Sequence, residues 1–97
     1  MKKKIYYYEK IKEIHDLIQR EEVFAQQKGE QPNWHDNYKT IHLETISMLE
    51  SAGFNAYANE LIKSSIMDKK PSKMPIDIYK NYKLIINDFN DKIKDVD

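Results

Sequence analysis

The sequence contains no cysteine. That excludes a disulfide framework and thiolate-ligated metal sites, and it fits a reducing compartment. Glycine and proline are scarce: Gly29, Gly53, Pro32, Pro71 and Pro75 are the only examples. Two isolated glycines cannot build a phosphate-cradling loop. None of the serines, Ser47, Ser51, Ser64, Ser65 and Ser72, sits in a glycine-flanked nucleophile elbow. Apolar runs reach two or three residues, as in Leu84-Ile85-Ile86, too short to span a bilayer. Lys2-Lys3-Lys4 has the charge of a signal-peptide start, but Glu9 and Lys10 interrupt what should be its apolar stretch. The expected location is therefore the cytoplasm. Excess charge of one sign is missing too, since sixteen basic side chains balance sixteen acidic ones. A dedicated nucleic-acid binder usually carries a basic excess, so nucleic acid is not the expected partner.

What is present is a chain of 97 residues, enough for one domain over 1–97. Fifteen lysines stand against one arginine, beside thirteen isoleucines and seven asparagines. That bias points to an AT-rich source, bacterial or phage-borne. Sparse punctuation leaves long segments, and each carries apolar residues at helical spacing. The first, about 4–27, has Tyr7, Ile11, Ile14, Leu17, Ile18, Phe24 and Ala25 on one stripe, with Gly29 as its stop. The second, 34–52, should start from an Asn33 cap and end at Gly53, where a positive φ is needed. Its face is Trp34, Tyr38, Ile41, Met48, Leu49 and Ala52, widened by Leu43 and Ile46. The third, 55–67, is shorter and carries Tyr57, Ala58, Leu61, Ile62 and Ile66. The fourth, 75–95, opens at Pro75 and carries Tyr79, Tyr82, Ile85, Ile86, Phe89 and Ile93, with Val96 just beyond. Amphipathic helices with short loops pack most simply as an antiparallel four-helix bundle, so the expected class is all-α. That topology would bring Lys2, Lys3 and Lys4 beside Asp91, Asp95 and Asp97.

The candidate chemistry is thin. His35 and His42 stand two turns apart, about 10.5 Å of rise, and cannot share one ion; with His15 they read as surface or boundary residues. Glu13-x-x-Asp16 and Asp88-x-x-Asp91 have the spacing with which facing helices hold Mg²⁺ in small nucleotide pyrophosphohydrolases. Asp88 and Asp91, however, flank the apolar stripe of the fourth helix. The segment around Gly53 has the outline of a helix-turn-helix. Leu49 and Asn59, however, occupy positions that should be small and β-branched, and the second helix offers no arginine to guanine. No metal and no cofactor is expected, and no enzyme.

The aromatics remain. Seven Tyr, three Phe and one Trp are many for a small bundle. Tyr6, Tyr7 and Tyr8 are consecutive, and successive helix positions rotate by about 100°, so at least one of them faces outward. Tyr and Trp are enriched in binding hot spots. The expectation is a small non-catalytic protein of the inhibitor, immunity or regulator kind. It would bind a protein partner through Tyr6, Tyr7, Trp34 and Tyr38 near one bundle end, with a homodimer as a further possibility.

Overall fold

The computed structural model describes residues 2–28, 34–67 and 77–95, which are helical apart from short connections and contain no strand. They form α1 (Lys2–Lys28), α2 (Trp34–Ser51), α3 (Asn55–Lys63) and α4 (Ile78–Lys92), the last prolonged by a 3₁₀ turn over Ile93–Asp95. Neighbouring helices run antiparallel, as expected. Tyr7 on α1 shares a 3.2 Å hydrogen bond with Ser51 at the end of α2, and Lys10 donates to Glu44 one to two turns back, at 2.8 Å. Phe89, late in α4, packs edge-on against Tyr7, with ring centroids 5.6 Å apart. Lys83, early in α4, meets Glu22 late in α1 at 2.7 Å. The end holding the start of α1, the α2–α3 turn and the close of α4 is the lower end.

Gly53 makes the lower turn. Its φ is +84°; the Phe54 amide returns to the Leu49 carbonyl at 2.8 Å and the Gly53 amide to Glu50 at 3.0 Å. This is the Schellman closure, which needs a left-handed residue at that place. α3 then runs back along α2, and the Ile66 amide reaches the Tyr38 hydroxyl at 3.2 Å. The α2–α3 pair is thus an αα-hairpin.

α3 ends at Lys63, short of the expected 67. Serine hydroxyls compete there for backbone groups: Ser64 Oγ donates to the Leu61 carbonyl and Ser65 Oγ accepts from the Met67 amide. The Ile66 amide, which would continue the helix, is taken by Tyr38. α4 is helical from Ile78; its expected opening at Pro75 lies outside the described residues, as do the Asn33 cap and the Gly29 stop. The side chains of Lys2–Lys4 and Asp95, and all of Asp97, fall outside them too; Asp91 pairs with Lys94 at 3.7 Å.

The core is one cluster drawn from all four helices, with Ile14, Ile18, Tyr38, Ile41, Leu49, Leu61, Tyr82, Ile86 and Phe89 fully buried. Each such apolar side chain is worth about 1.5–3 kcal/mol on burial. Two expected stripe members are corrected: Leu43 and Ile62 are about half exposed. On α2 the inward places go instead to His42 and Thr45. Thr45 tolerates this because its hydroxyl donates to the Ile41 carbonyl at 2.7 Å. No helix among the described residues is long and apolar enough to cross a membrane.

Candidate functional site

Of the four expected partner-binding residues, the structure leaves one at the surface. Tyr6 is 45% exposed, whereas Tyr7, Trp34 and Tyr38 are 4%, 7% and 0% exposed and belong to the core. Nor do the four share one end. Tyr6 and Tyr7 lie at the lower end beside Ser51, while Trp34 opens α2; the 18 residues of that helix separate them by about 25 Å. The stripe rule explains why Tyr7 turned inward. It sits four before Ile11 and seven before Ile14, so it shares their face.

What surrounds Tyr6 is more informative. Ile5 and Tyr8 are also exposed, at 59% and 39%. α1 has 27 residues against 18 in α2, and with Tyr7 level with Ser51 its first turn projects past the end of its neighbour. Inward from this tip runs a chain of rings. Tyr6 meets Tyr7 at 5.4 Å, Tyr7 meets Phe89 at 5.6 Å, Phe89 meets Phe54 at 5.0 Å and Phe54 meets Tyr57 at 6.1 Å. These are edge-on pairs, each worth about 0.5–1.5 kcal/mol beyond its buried area. Lys92 Nζ closes the series 5.1 Å above the Tyr57 ring. A concavity of about 340 Å³ opens at the same end, lined by Gly53, Phe54, Asn55, Ala56, Tyr57 and Lys92.

The acids that the alternative Mg²⁺ reading would bring together are engaged separately. Asp88 accepts from the Tyr57 hydroxyl and lies 3.4 Å from Lys92; the Tyr57 bond, followed by Lys92, holds its carboxyl below the usual range. Asp91 pairs with Lys94 and Glu13 with Lys10. Asp16 lines a hollow between α1 and α2, together with Glu13 and Glu44. Among the described residues no three acidic or histidine side chains group as a metal site.

The interior carries polarity that the sequence pattern did not reveal. His42, expected at the surface or the boundary, is buried, and its Nδ1 lies 2.5 Å from the Tyr82 hydroxyl. Tyr82 in turn lies 2.9 Å from the Tyr38 hydroxyl, which accepts from Ile66. One assignment satisfies every member: Ile66 N–H donates to Tyr38, Tyr38 to Tyr82, and Tyr82 to an unprotonated Nδ1. Burial pushes the His42 value down and the Tyr82 value up, so both are neutral. Glu21 is a second missed group. It is 2% exposed and bonded to Asn37, with its carboxyl pushed up first by burial. Tyr79 is buried beside it on α4, and its hydroxyl has no hydrogen bond among the described residues. The one available signal was alignment: His42 follows Tyr38 by four residues, and Glu21 follows Ile14 by seven.

No protein-family model matches the chain, and comparison with characterised proteins and with solved structures gives no significant match.

Proposed function

We propose that this protein is a non-catalytic helical binder that recognises a protein partner through its lower end. The observation that carries the reading is the projecting tip of α1, where Ile5, Tyr6 and Tyr8 are exposed together at the head of a continuous chain of aromatic rings. Rigid rings with few rotamers to freeze give large contact area at low entropic cost, and the packed rings beneath them pre-organise that surface. The neighbouring concavity beside Phe54 and Tyr57 offers a seat for a partner side chain. Cysteine-free composition and balanced charge suit an inhibitor, immunity or regulator protein of the bacterial or phage cytoplasm.

The test is affinity capture from the cells that encode the protein. Ile5→Ala, Tyr6→Ala and Tyr8→Ala combined should keep the native circular dichroism, because all three side chains are exposed. The combined variant should lose the partner held by the native protein and by a Leu84→Ala control. Leu84 is 68% exposed on α4. Equal recovery by the tip variant would refute the assignment of this end.

A further inference from the structure

We propose that the outer face between α1 and α2 is a self-association surface on which two copies pair antiparallel, each inserting Arg20 into an acidic hollow of the other. The surface is distinct from the aromatic tip and does not depend on the reading given to it.

Three observations converge. First, a hollow of about 280 Å³ lies between the two helices, floored by Ile14 and Leu17 and rimmed by Glu13, Asp16 and Glu44. It continues along the same groove past Arg20 to Phe24 and Asn37, where a second hollow of about 230 Å³ opens. Secondly, Arg20 borders both hollows and makes no hydrogen bond or ion pair with the described residues. It is the single arginine of a chain with fifteen lysines. A planar guanidinium suits bidentate carboxylate pairing better than an ammonium does. Thirdly, the charges are self-complementary. Glu13 and Asp16 lie on one side of Leu17 along α1; Arg20 lies on the other, beside the buried Glu21. Lys10 engages Glu13 and Glu44 from within the chain, so Asp16 is the main acid left to the incoming guanidinium.

That order decides the geometry. Consider a two-fold axis crossing α1 at Leu17. The start of one α1 then lies over the close of the other, and Arg20 of one copy falls level with Ile14 of the second. Its guanidinium meets Glu13 and Asp16, with Glu44 across the groove. Symmetry repeats the same insertion, as an isologous contact must. A parallel pairing, with α1 over α2 of the second copy, instead sets Glu13 against Glu44, acid upon acid. The antiparallel form also packs Leu17 on Leu17 at its centre. It carries the two Tyr6 tips to opposite ends, about 33 Å apart along the axis, so the dimer presents two tips.

Sedimentation of the whole protein tests this. The native chain should approach twice 11.6 kDa with rising concentration. The association should weaken between about 0.1 M and 1 M salt, as the screening length falls from about 10 Å to 3 Å. Arg20→Glu and Glu13→Arg, each alone, should weaken association at least tenfold through like-charge contact at both symmetric sites. Mixed in equal amounts, the two variants should recover part of the association as a heterodimer, since positions 20 and 13 then carry opposite charges at both symmetric sites. Both positions are exposed, so circular dichroism should be unchanged. A native chain that stays monomeric to millimolar concentration overturns the proposal and leaves the groove to other proteins. So do an Arg20→Glu variant that associates like the native chain and a mixture that stays monomeric.

Discussion

At the scale of single residues, two buried tyrosines one turn apart on α4 have opposite expected sensitivities. The Tyr82 hydroxyl is the middle of the Ile66–Tyr38–Tyr82–His42 chain. Tyr82→Phe leaves the Tyr38 O–H without an acceptor and the His42 nitrogen without a donor inside the core, at a cost of about 1–3 kcal/mol. The Tyr79 hydroxyl has no hydrogen-bond partner among the described residues, so Tyr79→Phe should be neutral or slightly stabilising in the same urea titration. His42 gives the chain a pH dependence. Its folded value lies below the ordinary 6.5, so the unfolded chain takes up a proton first. The stabilisation is complete above pH 6.5 and falls as pH drops below it, by at most about 1.4 kcal/mol per pH unit. Glu21 acts in the opposite sense: its raised folded value means that acid relieves a buried charge. Comparing the native protein with His42→Gln, which keeps an acceptor but cannot titrate, isolates the histidine. The denaturation midpoint of His42→Gln should fall less between pH 7.5 and 5.5. Sequence offered only the helical alignment of His42 with Tyr38 and of Glu21 with Ile14. A polar residue on a stripe is assigned to solvent by pattern, and only the neighbouring helix shows which partner makes its burial tolerable.

At the scale of elements, the pattern was a better guide. Scarce glycine and proline, with apolar spacings of three and four, located each helix, because helical periodicity survives any packing partner that buries one face. α4 matched its stripe completely over the described residues. Gly53 was identified as the α2 terminator for the reason the structure displays, a left-handed φ. No atom lies within 4 Å of where its Cβ would stand, so Gly53→Ala should cost only the backbone penalty of about 1–2 kcal/mol, without a steric term. Gly53→Asn should cost less, since Asn visits that conformation more readily. Thermal melts of the two variants measure the difference. The end of α3 was misjudged because the agent that stops it, the Tyr38 hydroxyl, lies 28 residues away in sequence.

At the scale of the whole molecule, the topology decides which aromatics are available. The expectation that Tyr6, Tyr7, Trp34 and Tyr38 form one patch treated aromatic residues as a class. Antiparallel packing sends them to opposite ends, and the stripe buries three of them. Length mismatch supplies what composition could not: α1 reaches past the end of α2, and Ile5, Tyr6 and Tyr8 are exposed near that end. Anchors of this kind typically contribute at least 1 kcal/mol each to an interface, so losing all three should weaken binding by two orders of magnitude or more. The most direct measurement is a residue-resolved NMR titration of the labelled native protein with the captured partner. Amide shifts should change around residues 5–8, 51–57 and 89–93, which meet at the lower end. Changes centred on residues 34–38, or along the groove between α1 and α2, would contradict the account.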